Sequence, residues 1–132
     1  MKRVAIITTN KILAQSLLGS VKAQKELDFE LHIMLNLHQV LLDIEVLEID
    51  VALIDMALLD ERNSVDQDKA ISFLLCERIY NMHPNCQILL MISQADNLNR
   101  AIAIDAKKNQ TIDDFIFYDA SLRYLLAKLN SF

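Results

Sequence analysis

The sequence predicts a doubly wound α/β domain, a parallel sheet covered by helices on both faces, and two patterns predict it. Short uninterrupted apolar runs recur at Val4–Ile7, Val51–Ile54 and within Gln87–Ile92. A run of that length without polar alternation is what a strand buried on both faces requires. Between these runs the apolar residues fall at helical spacing. Strands that alternate with amphipathic helices pack as a parallel sheet, because right-handed crossovers lay the helices over its faces. A chain of 132 residues, 53% of them hydrophobic, suits one domain with a sizeable core, taken as 1–132.

Each element follows from its residues. Val4 to Ile7 reads as a buried first strand. From Lys11 to about Glu26 the spacing turns helical, with Leu13, Leu17 and Val21 in one line, Ala14 and Leu18 beside it, and Asn10 as the cap. Phe29 to Leu35 reads as the second strand, Phe29, Leu31, Ile33 and Leu35 lining one face. Leu37, Val40, Leu41, Ile44 and Leu47 mark the second helix. Val51 to Ile54 is the third strand and ends on Asp55. After a polar loop, Asp60 to Asp68, a third helix runs from about Lys69 to Met82 and Pro84 stops it. Gln87 to Ile92 is the fourth strand, followed by Ser93, and a weaker helix covers roughly Leu98 to Lys108. Phe115, Ile116 and Phe117 form the core of a fifth strand. The last helix carries Leu122, Leu125, Leu126 and Leu129 on one stripe, with Ser121 as its cap.

Composition narrows the function classes. The formal net charge of −5 argues against a nucleic-acid surface, which needs a basic patch or stripe. No stretch has the length and apolarity of a membrane span. The start, Met1-Lys2-Arg3 before a short apolar run, resembles a signal peptide only until Thr8-Thr9-Asn10-Lys11 ends the run. Cys76 and Cys86 form no C-x-x-C, so a reducing, cytoplasmic location is expected rather than a disulfide framework. His83-Pro84-Asn85-Cys86 offers two metal ligands where a structural zinc needs four. The single glycine, Gly19, lies in the first helix and excludes glycine-rich phosphate loops.

In folds of this kind the working surface lies at the carboxyl ends of the strands. Thr8, Thr9 and Asn10 stand there after strand one, Asp55 after strand three, Ser93 after strand four, and Tyr118 with Asp119 after strand five. An Asp directly after an apolar strand needs partners or solvent, because burying a lone carboxylate is costly. No histidine falls at a strand end near Asp55: His32 lies in strand two, His38 opens helix two and His83 closes helix three. No nucleophile–base pair is therefore visible, and an enzyme is not expected.

Three stretches in register carry a family resemblance: Val51-Ala52-Leu53-Ile54-Asp55-Met56, Ile88-Leu89-Leu90-Met91-Ile92-Ser93, and Asp113-Asp114-Phe115-Ile116-Phe117-Tyr118. Over essentially its whole length the chain resembles the receiver domain of two-component response regulators. The resemblance implies a flavodoxin-like five-stranded sheet, (βα)5, in the order 2-1-3-4-5. It implies that Asp55 matches the phosphoacceptor, Ser93 the hydroxyl that senses the phosphoryl group, and Phe115 the switch aromatic.

The chain departs from that pattern where the chemistry is done. The family's Mg²⁺-binding acidic pair is Thr8 and Thr9 here, its fifth-strand lysine is Tyr118, and the following proline is Asp119. The Pro and Gly usual after the phosphoacceptor are absent from Met56 to Lys69. Phosphoryl transfer relies on cations that neutralise the phosphoryl oxygens. Mg²⁺ wants carboxylates that two threonines do not supply, although Asp60 or Glu61 could fold back. The resemblance is therefore to the degenerate pseudo-receivers: no cofactor and no Mg²⁺ are expected, and Asp55 should be a poor phosphoacceptor. The expected partner is a protein or a second copy, with Arg100, Asp105, Asp114 and Arg123 on the face of helix four, strand five and helix five that the family pairs through. The resemblance implies either the regulatory domain of a transcription regulator, any DNA contact coming from a segment outside it, or a stand-alone protein. Two other readings stay open: a working phospho-receiver switched at Asp55, and a small-molecule-binding domain using the hydroxyls of Thr8, Thr9, Ser93 and Tyr118.

Overall fold

The apolar runs become the inner strands of one sheet. The computed structural model describes residues 2–24, 27–56, 71–119 and 121–132. Among these residues there are five strands: β1 (Lys2–Ile7), β2 (Phe29–Met34), β3 (Val51–Asp55), β4 (Gln87–Ile92) and β5 (Asp114–Phe117). They lie in the order β2-β1-β3-β4-β5, every neighbouring pair parallel. This is the flavodoxin-like arrangement. β3 sits at the centre and is buried along its whole length. β2 is an edge strand, so Leu31 and Ile33 are only half-buried, and Leu35 lies beyond its end and is exposed.

The helices are α1 (Lys11–Ala23), α2 (Val40–Leu47), α3 (Ile71–Met82), α4 (Asn97–Lys108) and α5 (Leu122–Asn130). α1 ends at Ala23, short of Glu26, because no apolar residue after Val21 continues its buried stripe; the Gln24 N–H turns back to the Val21 carbonyl at 3.3 Å. The second helix opens as a 3₁₀ turn, Leu37–Gln39, where the Asn36 side chain accepts the His38 N–H at 3.0 Å. Glu48 closes α2 in the left-handed region at φ 53°, and its N–H and that of Ile49 return to the last helical carbonyls. The loop expected over Asp60 to Asp68 and the expected helix start at Lys69 lie outside the described residues.

Two cores result, one on each face of the sheet. One packs Val40 and Ile44 of α2, Cys76 and Ile79 of α3, and Ala103 and Ala106 of α4 against alternate residues of the strands. The other packs Leu17 of α1 and Leu125, Leu126 and Leu129 of α5 against the opposite residues, Val4, Ile6, Leu53, Leu89 and Ile116. Each fully buried Leu or Ile contributes on the order of 2 kcal/mol. The small Ala103 and Ala106 let α4 lie close to β4 and β5. Asp113 fixes the start of β5: its Oδ2 accepts the Ile88 N–H at 2.7 Å, and its own N–H donates to the Ile88 carbonyl at 2.8 Å. Because all strands run the same way, their carboxyl ends gather at one edge of the sheet.

Candidate functional site

At that edge the first feature is a buried pair. Asp55, the last residue of β3, is 3% exposed, and Thr8, just past β1, is fully buried. The Thr8 N–H donates to the Met34 carbonyl at 3.2 Å, continuing the pairing of β1 with β2 and directing the side chain inward. Its hydroxyl donates to Asp55 Oδ2 at 2.6 Å and accepts the Asn10 N–H at 3.0 Å. Asn10 in turn caps α1 through the Leu13 N–H at 3.1 Å. A carboxylate this buried is tolerable only with strong partners, and a short hydroxyl-to-carboxylate bond is one. Thr9 is exposed and points no such bond at Asp55.

A second cluster stands at the ends of β4 and β5. The Ser93 hydroxyl donates to Asp119 Oδ2 at 2.7 Å, and the Gln94 N–H lies 2.9 and 3.1 Å from the two Asp119 oxygens. The Gln94 amide and then the Ser93 hydroxyl hold the Asp119 carboxyl below its ordinary range. Asp119 is thus an acceptor that joins two turns. Tyr118 is partly exposed and its N–H donates to the Ile92 carbonyl at 3.0 Å. Tyr118, Ser93, Met56, Asp96 and Asn99 line a recess of about 80 Å³.

Phe115 is half-buried on the α4 side, in a T-shaped contact with Phe117 at 5.8 Å. Two α4 cations cover the pair: the Arg100 guanidinium is 5.5 Å from the Phe117 ring centre and the Lys107 ammonium 6.0 Å from that of Phe115. Of the four charges expected on a pairing face, Asp105 and Arg123 are exposed. The other two are engaged within the chain. Arg100 donates to the Gln94 carbonyl, and Asp114 binds Lys107 and Lys128, each at 3.1 Å. Burial pushes the Asp114 carboxyl up, but the Phe115 N–H at 2.8 Å and the two lysines outweigh it and hold it below its ordinary value.

The chemistry of the edge is thus that of two hydroxyl–carboxylate pairs. Among the described residues no group of three His, Cys, Asp or Glu side chains is placed to hold a metal ion, and no helix is long and apolar enough to cross a membrane. Asp60 and Glu61 lie outside the described residues. The Ser93–Asp119 contact was not foreseen. The signal available for it was Asp119 itself, a charge two residues beyond the fifth strand, beside the serine that follows the fourth.

No protein-family model matches the sequence, and neither does any curated protein. The fold does have counterparts among solved structures. A CheY-like response regulator receiver domain protein from Methanospirillum hungatei JF-1 superposes with a TM-score of 0.68 at 19% identity, over 99% of this chain and 92% of that one. A structure described as adenylate cyclase from Rhodopirellula baltica gives 0.74 at 16% identity, over 98% and 85%. An orphan response regulator of H. pylori gives 0.69 at 16% identity, over 98% and 94%. At such identities the likeness is one of fold: the chain has the fold of receiver domains.

Proposed function

We propose that this chain is a receiver-like signalling domain that works without phosphorylation of Asp55, binds no Mg²⁺, and acts through contacts with a protein partner or a second copy of itself. The carrying observation is the 2.6 Å bond from Thr8 to Asp55 inside the fold. In the family an acid stands where Thr8 stands. Here the residue is a hydroxyl whose proton is directed at the carboxylate, so it adds no negative charge for a hard dication and engages one of the two carboxylate oxygens. The donor set therefore does not fit Mg²⁺. Tyr118 in place of the lysine brings no cation to the developing charge. Ser93, the hydroxyl expected to meet a phosphoryl group, already donates to Asp119.

What remains for such a domain is its surface. Asp105 of α4 and Arg123 of α5 are exposed and of opposite charge, which suits a self-complementary contact. A small-molecule role is less well supported, because the recess of about 80 Å³ beside Tyr118 falls well below the roughly 300–1,000 Å³ of ordinary ligand pockets.

The test is intact-mass analysis after incubation with Mg²⁺ and a small acyl-phosphate donor, with Asp55→Asn as control. We expect no adduct and no change of oligomeric state. A phosphate adduct that disappears in the Asp55→Asn variant would establish the working phospho-receiver instead.

A further inference from the structure

We infer that Asp119 acts as a built-in anion that holds the turn between β4 and α4 in one arrangement, so that the position of α4 is set by this carboxylate and not by events at Asp55. The inference deepens the reading of the chain as a receiver-like domain independent of Asp55 phosphorylation, and it rests on that reading.

The argument begins with the proton count at Ser93. A serine hydroxyl has one proton to give. That proton goes to Asp119 Oδ2 at 2.7 Å, while the Ser93 oxygen receives the Ala95 N–H at 3.2 Å. The hydroxyl thus has no proton left for an anion elsewhere at the edge. The next donor along, the Gln94 N–H, is spent on the same carboxylate. Asp119 therefore takes two successive donors of the turn, and hydrogen bonds to an ionised acceptor are about twice as strong as neutral ones.

The turn is in turn bound to the helix. The Ser93 carbonyl accepts the Asp96 N–H at 3.2 Å, and Asp96 caps α4 through the Asn99 N–H at 3.1 Å. The Asn99 side chain returns to Asp96 at 2.6 Å. From the first turn of α4, Arg100 reaches back to the Gln94 carbonyl and lies over Phe117 of β5. Gln94 is thus held on both sides, its N–H by Asp119 and its carbonyl by Arg100. Asp119 itself follows Tyr118, whose N–H is fixed to the Ile92 carbonyl at 3.0 Å. The result is a closed loop of bonds: end of β5, Asp119, turn, α4, and back to β5. Asp55 contributes none of these bonds.

The test is amide hydrogen exchange, read residue by residue, on the intact chain. In the wild-type protein the Gln94 amide should be protected. Asp119→Ala should speed its exchange about ten-fold or more, the loss expected of a hydrogen bond to a charged group. Ala95 should follow through the freed Ser93 hydroxyl, while Leu89 and Leu90 in β4 stay protected. Asp119→Asn keeps the shape, loses the charge, and should give an intermediate rate; it also serves if the alanine variant fails to fold. Asp55→Asn should leave Gln94 unchanged. Unaltered Gln94 exchange in both Asp119 variants would overturn the inference, as would a Gln94 amide deprotected by Asp55→Asn. The adduct measurement separates the two ideas. An adduct on Asp55 with Gln94 still protected refutes the reading of function alone, and no adduct with Gln94 indifferent to Asp119 refutes the latch alone.

Discussion

Replacing Thr8 by valine removes one hydroxyl and almost no volume, which makes it the cleanest probe of the buried pair. Valine keeps the β-branched shape that suits the end of β1, so no large cavity opens. Two bonds are lost: the 2.6 Å bond to Asp55 Oδ2 and the 3.0 Å bond from the Asn10 N–H. A hydrogen bond to a charged group contributes roughly 1.5–3 kcal/mol, and a buried acceptor that loses one donor bears part of its desolvation cost. The Asn10 amide lies near solvent and recovers water, so its loss adds little. The expected cost is about 2–3 kcal/mol. It would be read in urea as a lower midpoint at unchanged m-value, and in heating as a fall in Tm of roughly 8–12 °C for a domain of this size. Thr8→Ser keeps the hydroxyl and loses one methyl, so it should cost about 1 kcal/mol. On an Asp55→Asn background the valine change should cost less, with a coupling of about 1 kcal/mol or more between the two sites. A Thr8→Val protein within about 0.5 kcal/mol of wild type, or one as sensitive on the Asp55→Asn background, would refute the claim that this bond holds the carboxylate in place.

Other outcomes follow from the same structure. Asp114→Asn should cost about 1 kcal/mol at neutral pH, because it removes two partly exposed ion pairs with Lys107 and Lys128. The folded-state pKa of Asp114 is depressed, so its contribution is present above the unfolded value near 3.8 and is lost as pH falls through the folded one. Denaturation curves of variant and wild type should therefore converge in acid, and a gap that widens there would contradict the ion pairs. Burial raises the Cys76 thiol to about 12 and the Cys86 thiol to about 11, so a thiol reagent at pH near 8 should leave the native protein unlabelled and modify both in urea. Cys86, 8% exposed against none for Cys76, should react first as denaturant rises; the reverse order would contradict the packing.

The sequence by itself determined what depends on local period. An apolar run such as Val51–Ile54 cannot face water on either side, and the stripe Leu122, Leu125, Leu126 and Leu129 cannot remain unpacked. The elements, their alternation and the parallel sheet follow from those two needs. Strand ends were legible for the same reason, so Thr8, Asp55, Ser93, Tyr118 and Asp119 could all be placed at one edge. Only the tertiary structure decided which of them touch. Thr8 and Asp55 are 47 residues apart, and Ser93 and Asp119 are 26 apart. Such contacts depend on strand order and register, and on rotamers fixed by packing at a distance, none of which leaves a mark in local spacing. The same holds for Arg100 and Asp114, which read as free surface charges because a sequence shows a charge but not its neighbour. In the folded chain one lies over Phe117 and the other between two lysines, since crossover connections bring α4, β5 and α5 side by side.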